Sequence, residues 1–373
     1  MIPRGCRRVA LGCVLAFTSQ SIAAPKSIDA LLETIRAKSN LPALAAAVVC
    51  SNEIVAAGAV GIRKFGSPER VTLDDKFHLG SCTKAMTATL AAMYVEQGKL
   101  TWTTTIGEQF SDWEVRPSYT NVTLEQLLSH RAGVPGDLNR VGVWSHAWKR
   151  NSQPPMEQRI ALAKELLAME PMHPPGTKYT YANAGYTIGG LMMERMEQRA
   201  WEELIREKLF KPLGMTSAGF GMPATIGKVD QPWGHSLKDG KLIPDPPGPT
   251  ADNPAAIGPG GIVHCTITDF ARFANLHLQG ERGNSKLLKA ETFKKLHTPL
   301  EGQDYGFGWF VTERKWAKKR ALMHNGTNTR NFAVMWLAPE IEFAVVVACN
   351  LGGDAADKAC DQAAARLIQE FAK

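Results

Sequence analysis

The chain has 373 residues, of which 44% are hydrophobic and 21% are charged, close to the composition of an ordinary globular protein. This composition excludes a wholly disordered chain, a collagen and a coiled coil, and no apolar run approaches the ~20 residues that a helix needs to span a bilayer. The net charge is +7, and no basic face interleaved with aromatic residues indicates a nucleic-acid partner.

The N-terminal segment has the pattern of a cleaved secretory signal. Three arginines precede an apolar stretch over 9–17, and small residues follow at 21–25. The alternative is an N-terminal core helix. We expect residues 1–24 to be removed, which takes the three arginines away and leaves a mature chain of net charge +4. We therefore expect a periplasmic or secreted protein without a stable membrane anchor.

The first third of the chain alternates helices with strands. A helix that is apolar nearly all round is expected to be buried, and Gly98 marks its end. The two strands rich in Val and Ala are close enough to form a hairpin. The predicted elements are a helix over 27–39, strands at 43–50, 54–61 and 76–79, and the apolar helix over 81–97.

The middle of the chain is mostly helical, and strands return towards the C-terminus. Residues 222–260 hold eight of the 22 prolines and lose periodicity, which predicts a long irregular segment that forms a wall of a site. The clearest helices are 124–128, 157–169, 184–197, 201–209, 268–279 and 289–295. The later strands are 306–312, 320–324, 331–337 and 343–349, and a helix over 354–373 closes the chain.

This order of elements predicts an α+β protein. One antiparallel sheet built from both ends of the chain would be flanked by the terminal helices, with an all-helical domain inserted in the middle. We expect residues 25–80 and 260–373 to form the sheet domain. Residues 81–259 would form the inserted domain, which includes the Pro-rich loop 222–259.

Cysteine and histidine spacing indicates no metal or redox site. The chain has no Cys-x-x-Cys pair and no His-Glu-x-x-His pattern, so we expect no metal and no organic cofactor. An odd number of cysteines remains after removal of the signal, and a monomer would keep at least one free thiol. These five are Cys50, Cys82, Cys265, Cys349 and Cys360.

The first group that can carry chemistry is Ser81-Cys82-Thr83-Lys84. On a helix, positions i and i+3 share one face, so the Ser81 hydroxyl and the Lys84 amine can meet. An apolar helix would desolvate Lys84 and lower its pKa, which suits it to activate a weak hydroxyl nucleophile. The plainer interpretation is an N-cap serine with a solvated lysine, although no other serine has a lysine three residues later.

The second group is Tyr181-Ala182-Asn183, which follows a Pro-Pro-Gly segment. The Tyr181 phenol can relay a proton to and from the serine hydroxyl if nearby positive charge lowers its pKa. The Asn183 amide can donate a hydrogen bond to a substrate carbonyl. A second Tyr-x-Asn, at Tyr119 and Asn121, lacks the Pro-Pro-Gly lead and is expected in a surface loop; spacing alone does not choose between them.

The third group is His324-Asn325-Gly326-Thr327, at the end of a predicted strand. A glycine at a strand end lets a substrate approach the backbone closely. The backbone N–H of Thr327 and that of Ser81 can together form an oxyanion hole. Alone, the pattern indicates only a turn after a strand.

Together the three groups resemble the penicillin-recognising serine hydrolases, which include class C β-lactamases, D,D-carboxypeptidases, D-aminopeptidases and related esterases. The resemblance covers residues 27–372 and implies a β-lactamase-like fold. It implies that Ser81 is the nucleophile, that Lys84 and Tyr181 share the general base and acid roles, and that Asn183 orients the substrate. Further similar segments are 77–81, 127–134, 175–186, 212–215, 260–262 and 305–309.

The third group departs from the Lys-Thr-Gly of class C β-lactamases. Its His-x-Gly form is similar to that of some D,D-peptidases and D-aminopeptidases. His324 would be a neutral hydrogen-bond donor where lactamases keep a fixed cation, which disfavours strong β-lactamase activity. Arg330 either replaces the missing charge or is an ordinary surface arginine.

The expected function is therefore that of a secreted serine hydrolase. It would form an acyl-enzyme on Ser81 with a small-molecule ester or a D-amino-acid amide or peptide. The alternatives are a class C-like β-lactamase and a non-catalytic cell-wall or penicillin-binding module. A Ser-His-Asp hydrolase of the α/β type is excluded, because no Gly-x-Ser-x-Gly is present. The sequence leaves the oligomeric state and the disulfide pairing open.

Overall fold

Segments from opposite ends of the chain supply the longest strands. The computed structural model describes residues 24–372, so the predicted signal segment, apart from Ala24, lies outside the described residues. The strands are β1 Lys26–Ser27, β2 Ala43–Cys50, β3 Glu53–Gly61, β4 Lys76–His78, β5 Gly219–Phe220, β6 Gly234–Lys238, β7 Lys241–Asp245, β8 Val263–Thr266, β9 Phe310–Glu313, β10 Arg320–Thr327, β11 Phe332–Ala338 and β12 Phe343–Cys349.

The helices fall into a long central block and two terminal pieces. Within residues 24–372, no helix is both long and apolar enough to cross a membrane. The helices are α1 Asp29–Lys38, α2 Thr83–Glu96, α3 Ile106–Gln109, α4 Pro117–Thr120, α5 Leu124–Leu128, α6 Val143–Lys149, α7 Pro155–Leu167, α8 Asn183–Glu197, α9 Trp201–Ile205, α10 Lys211–Leu213, α11 Gly258–Gly261, α12 Ile267–Gly280, α13 Ala290–Leu296 and α14 Asp354–Phe371.

The main sheet has seven strands in the order β1-β3-β2-β12-β11-β10-β9. Its neighbours pair antiparallel, apart from the short parallel pair β1–β3. The turn between β2 and β3 places Ser51 and Asn52 at positive φ, 47° and 75°, and forms the predicted hairpin. Strand β12 pairs with the whole of β2, so the two ends of the chain meet in the middle of the sheet.

The sheet is buried on both faces. Side chains alternate along a strand, so successive residues of β2 enter different cores. Ala45 and Ala47 belong to the core that contains α2 and α12, whereas Leu44 and Val48 belong to the core that contains α1 and α14. The prediction of an α+β protein with an antiparallel sheet flanked by the terminal helices is confirmed.

Helix α2 lies inside the protein. Twelve of its residues, 83–94, are buried, as its apolar composition predicts. It ends where Gly98 takes a positive φ of 68°. A lysine in the first turn of this helix is therefore enclosed by protein.

The proline-rich segment is more ordered than the sequence predicts. Strands β6 and β7 form a hairpin within it, and Asp239 and Gly240 at its turn have positive φ values of 51° and 74°. Asp-Gly is a typical signal for a two-residue hairpin turn, and the prolines around it obscure the strand pattern. The prediction of a wholly irregular 222–260 segment is wrong.

A second, smaller sheet was also not predicted. Strand β8 pairs with β4 and with β5, and this three-stranded sheet leads directly to the start of α2. In the main sheet, β9 begins at Phe310 rather than at residue 306, because Gly308 interrupts the strand with a positive φ of 82°. The division of the chain into a sheet domain and an inserted helical domain stays a prediction.

Candidate active site

Ser81 lies in a single 3-10 turn, Gly80–Cys82, that joins β4 to α2. Gly80 has a positive φ of 50°, and a Cβ atom there would lie 2.3 Å from the backbone nitrogen of Thr327. Glycine is the residue that meets both conditions without strain. The turn leaves Ser81 half-buried, so its hydroxyl is accessible at the start of an otherwise buried helix.

The Lys84 amine lies beside the Ser81 hydroxyl, as the spacing predicts. Its Nζ atom is 2.9 Å from Ser81 Oγ, 2.6 Å from Asn183 Oδ1 and 2.6 Å from the carbonyl oxygen of Gly260. The side chain is fully buried, which excludes a solvated surface lysine. As a neutral amine, Lys84 has two N–H groups, which suffice for Asn183 Oδ1 and the Gly260 carbonyl, and its lone pair is left to accept from the Ser81 hydroxyl.

The surroundings of Lys84 favour its neutral form. Burial lowers the pKa of its amine to about 7. None of its three hydrogen-bond partners is a carboxylate, which would hold the amine protonated. A neutral amine within hydrogen-bond distance of an accessible hydroxyl is the arrangement that general-base activation requires.

Tyr181 completes a three-member proton-sharing group. Tyr181 is half-buried, and desolvation raises the pKa of its phenol, while a hydrogen bond with Ser81 acts in the opposite direction. Lys84 Nζ lies 4.8 Å from the centre of the Tyr181 ring. The pKa of the phenol is therefore not lowered, as we considered from the sequence, because desolvation outweighs the hydrogen bond with Ser81. Tyr181 is therefore a proton donor at neutral pH, and Lys84 is the better base.

Asn183 is the first residue of α8, which begins two residues after Tyr181. Its Oδ1 atom accepts the hydrogen bond from Lys84, so its Nδ2 group is the part left for a ligand. The preceding residues are fixed by His130, whose Nδ1 atom accepts from the backbone N–H of Ala182 at 3.1 Å. The Tyr181 and Asn183 side chains both lie next to the Lys84 amine, which is 4.8 Å from the centre of the Tyr181 ring and donates to Asn183 Oδ1.

Two backbone segments meet to form the expected oxyanion site. A Cβ atom on Gly326 would lie 2.3 Å from the Ser81 nitrogen, and one on Gly80 would lie equally close to the Thr327 nitrogen. The backbones of β10 and of the Ser81 turn are therefore in direct contact, with two amide groups side by side. This is the geometry in which paired N–H groups can stabilise a developing oxyanion.

Both ring nitrogens of His324 have hydrogen-bond partners within the protein. Its Nδ1 atom donates to the carbonyl oxygen of Asn325 at 2.5 Å, and its Nε2 atom accepts from the Tyr305 hydroxyl at 3.1 Å. Burial, together with the charge of Lys84, lowers its pKa to about 3. The ring is thus a neutral internal group that packs 6.4 Å from Tyr181.

Two functional neighbours, His130 and Tyr305, were missed as site residues. The ring of His130 lies 4.3 Å from that of Tyr181 and 4.8 Å from that of Tyr305. Burial and the charge of Lys84 lower the pKa of His130. Both residues lie in segments that resemble the family, 127–134 and 305–309, and this resemblance was the sequence signal that could have identified them. They surround the reacting groups with neutral aromatic rings.

The sequence left the roles of Tyr119 and Arg330 open, and the structure shows where both residues lie. Tyr119 of the second Tyr-x-Asn is buried in α4, rather than in a surface loop, and its hydroxyl contacts the Gly133 carbonyl at 3.5 Å. Arg330 pairs with Asp245 of β7 at 3.5 Å and does not replace the missing cation of the third motif.

A cleft of about 310 Å³ is lined in part by two residues of this site, Asn183 and Thr327. Asp137 is its one ionisable lining residue, and no lysine, arginine or histidine contributes to the described lining. The Oδ1 atom of Asp137 accepts from two backbone N–H groups of its own turn. The lining consists of Gly136, Asp137, Leu138, Asn139, Trp144, Asn183, Asn253, Ile257, Thr327, Asn328 and Thr329.

The thiol next to the nucleophile is inert. Cys82 is fully buried, and burial raises its pKa. Its Sγ atom contacts the backbone oxygen of His324 at 3.4 Å. All five cysteines in the described part of the chain are free.

Comparison with known proteins identifies the family. A sequence model of the Beta-lactamase family matches residues 28–370. The chain belongs to the β-lactamase family of serine hydrolases. The family resemblance that the motifs indicated is therefore confirmed.

Proteins with sequences similar to this β-lactamase-family chain have different names. It is 26% identical over 323 residues to "Penicillin-binding protein 4" of Amycolatopsis lactamdurans, with 82% of this chain and 80% of that protein covered. It is 25% identical to the "Unguisins hydrolase ungD'" of Aspergillus campestris over 75% of this chain. The chain spans 53% of the length of that hydrolase.

Solved structures share the fold. The octameric penicillin-binding protein homologue of Pyrococcus abyssi superimposes with a TM-score of 0.75 at 24% identity, covering 91% of this chain and 76% of that one. The D-amino acid amidase of Ochrobactrum anthropi SV3 gives a TM-score of 0.70 at 18% identity, with 91% and 95% covered. At these identities the likeness establishes a β-lactamase-type fold and leaves the substrate open.

Proposed function

We propose that this chain is a secreted serine hydrolase that forms an acyl-enzyme on Ser81 and acts on an ester or a D-amino-acid amide. The observation that carries the proposal is the 2.9 Å contact between Ser81 Oγ and a buried Lys84 amine without a carboxylate partner. Membership of a serine hydrolase family supports the reaction class.

In the first half of the proposed reaction, the Lys84 amine takes the proton of the Ser81 hydroxyl as Oγ attacks the substrate carbonyl. The negative oxygen that develops is stabilised by the N–H groups of Ser81 and Thr327. Asn183 donates its Nδ2 group to the acyl part of the substrate. Tyr181, kept protonated by burial, gives its proton to the leaving oxygen or nitrogen, and the proton held by Lys84 restores the phenol.

In the second half, water attacks the ester on Ser81. Tyr181 and Lys84 together accept the proton of that water and return one to Ser81 Oγ as the acid leaves. The same oxyanion donors serve both steps. No metal or organic cofactor enters either step, because the chain's own groups supply the nucleophile, the base and the acid.

The charge of the cleft bears on the substrate. A β-lactam or a D,D-peptide carries a carboxylate, and the described cleft lining holds no cation to pair with it. The neutral His324 and Arg330, which pairs with Asp245, do not fill that role. Asp137 instead favours a substrate with a protonated amino group near its scissile carbonyl. A D-aminoacyl amide or ester has this feature, in line with the D-amino acid amidase among the structural relatives.

The test begins with covalent labelling. The parent chain is treated with a fluorophosphonate, and the modified peptide is located by mass spectrometry, with Ser81→Ala as the control. We expect the label on Ser81 and loss of hydrolysis in the variant. Hydrolysis that persists in Ser81→Ala, or a label elsewhere, would reject the acyl-enzyme. Binding of the substrates without turnover or labelling would favour a non-catalytic module.

A substrate panel then ranks the activities. It contains p-nitrophenyl esters, D- and L-aminoacyl p-nitroanilides, a D-Ala-D-Ala peptide and nitrocefin. We expect Asp137→Asn to raise KM by ~10-fold or more for D-aminoacyl substrates and to leave neutral esters unchanged. Asp239→Asn, at the tip of the β6–β7 hairpin, is the matched control. We rank ester and D-aminoacyl hydrolysis above β-lactam hydrolysis. Nitrocefin turnover at ~10 per second would reverse this ranking and favour a β-lactamase.

Secretion is a separate part of the proposal and rests on the N-terminal pattern. Fractionation of expressing cells, followed by N-terminal sequencing of the exported protein, tests it. We expect export and a new N-terminus near Ala24 or Pro25. Retention inside the cell with Met1 intact would contradict it.

A further inference from the structure

The proline-rich segment reaches the active site through one buried carboxylate, Asp252. Its Oδ2 atom accepts from His78 Nε2 at 2.8 Å. Its Oδ1 atom accepts from Asn328 Nδ2 at 2.9 Å and from the backbone N–H of Asn253 at 2.8 Å. Asp252 is 8% exposed, His78 1% and Asn328 3%, so this group is almost closed to solvent.

One arm of the group ends at the nucleophile turn. The Nδ1 atom of His78 accepts from the backbone N–H of Gly80 at 3.1 Å. Because Nδ1 is an acceptor, the ring proton lies on Nε2 and is donated to Asp252. The imidazole therefore links Asp252 to the residue immediately before Ser81.

The other arm ends beside Thr327. The side-chain oxygen of Asn328 accepts from the backbone N–H groups of Arg330 and Asn331 at 3.2 and 3.0 Å, and from the Asn331 amide at 3.1 Å. Asn328 is thus fixed at both ends of its amide. Its backbone nitrogen follows directly on Thr327, the second oxyanion donor.

We propose that Asp252 is a positioning residue that fixes the spacing between the Ser81 and Thr327 backbone N–H groups. One carboxylate oxygen holds the turn that carries the first donor, and the other holds the turn that carries the second. Asp252 contacts neither Ser81 nor Thr327 and acts through His78 and Asn328. This inference rests on the proposed function, since it concerns the oxyanion hole of that reaction.

A carboxylate is the group that this position requires. Both of its oxygens accept, whereas an amide has one acceptor and one donor. In Asp252→Asn, the new NH₂ group would face either the Nε2 proton of His78 or the NH₂ group of Asn328. One arm would lose its hydrogen bond, and the donor on that side would shift. A shift of ~1 Å in a reacting geometry costs on the order of 10²-fold in rate.

The experiment compares Asp252→Asn with the parent on a p-nitrophenyl ester and on a boronic acid, which forms a tetrahedral adduct with the serine. We expect kcat to fall ~10- to 10²-fold, KM to stay within about threefold, and boronate affinity to fall in step with kcat. If Asp252 had a structural role alone, its substitution would lower stability without lowering kcat at a nearly constant KM.

Two further variants complete the design. Asp230→Asn makes the same change at an exposed position of the same segment and should keep the parental kcat. Asn328→Ala removes the second arm, together with the contacts of Asn328 to Arg330 and Asn331, and serves if Asp252→Asn fails to fold. Parental kcat and boronate affinity in the folded variants would overturn the inference. Absence of turnover and of Ser81 labelling in the parent would reject the proposed function, and this inference with it.

Discussion

The Nζ atom of Lys84 lies 2.6 Å from the Oδ1 atom of Asn183, a residue 99 positions later in the chain. This contact fixes which end of the amide is free, because the oxygen is occupied by the amine. It also joins the first turn of α2 to the first turn of α8. The proposed base and the proposed substrate-orienting amide are therefore joined by a hydrogen bond, and we expect a substitution at either residue to disturb both.

We expect kcat/KM to rise with pH through the neutral range and to level off above pH about 7. The neutral Lys84 amine is the form that can take a proton from Ser81, and burial lowers its pKa to about 7. Activity is therefore lost as pH falls below that value. The measurement is a pH profile on an ester. Lys84→Arg should remove the rise of kcat/KM with pH and lower kcat/KM by ~10²–10⁴.

The control for that profile is Lys99→Arg, which changes an exposed lysine paired with Glu197. It should reproduce the parental curve. A parental profile that stays flat across the neutral range, or one that Lys84→Arg leaves unaltered, would contradict the assignment of Lys84 as the base.

Tyr181→Phe should affect substrates according to their leaving groups. Burial keeps the phenol protonated, so its main contribution is a proton for the leaving atom. We expect a ~10²-fold or larger loss in kcat for an alkyl ester or an anilide, and a much smaller loss for a p-nitrophenyl ester, which leaves without a proton. Equal losses on all three substrates would show that Tyr181 has another role. Tyr119→Phe, the second Tyr-x-Asn tyrosine, should leave every rate unchanged.

Gly326→Ala should damage catalysis through the backbone. Its Cβ atom would lie 2.3 Å from the Ser81 nitrogen, so the two oxyanion segments must separate. Loss of one oxyanion donor costs ~10²–10³ in kcat, and we expect a loss in that range. Gly248→Ala meets open space and is the control. Steady-state kinetics check both, and a parental kcat in Gly326→Ala would exclude an oxyanion hole at this contact.

Arg159→Ala should destabilise the helical region without touching the cleft. Arg159 is fully buried and pairs with Glu194 of α8 and Glu202 of α9 at 2.5 and 2.7 Å. Removing one partner of a buried ion group costs about 3–5 kcal/mol, because the other charges remain buried. Urea denaturation followed by circular dichroism measures the change. Arg116→Ala, which breaks an exposed ion pair with Glu170, should leave the urea midpoint unchanged. An equal loss of stability in both variants would contradict the greater contribution of the buried ion group.

The sequence predicted local relationships better than distant ones. The Ser81–Lys84 contact follows from helical spacing, and the burial of Lys84 follows from the apolar composition of α2. The Lys84–Asn183 contact joins residues too far apart for any periodicity to reveal. The family resemblance placed both residues in one site through its first two motifs, but it did not predict this contact.

Other features depend on tertiary contacts that no local pattern contains. The orientation of His324 is set by Tyr305 and by its own strand, so both of its ring nitrogens already have partners within the protein. The link from Asp252 to His78 spans 174 positions and lies in a segment without periodicity. The Asp-Gly turn of the β6–β7 hairpin is a recognisable sequence signal. The prolines around its short strands obscure the strand pattern.

The reacting groups and the cleft rim come from different kinds of structure. Ser81 and Lys84 belong to a turn and a helix embedded in the core, whereas Asp137, Asn139 and Trp144 lie in and just after a loop that faces the cleft. Loops accept replacement more readily than core elements. Randomising those three rim positions is therefore a practical route to new acyl selectivity, because the acyl-transfer chemistry is encoded elsewhere in the chain.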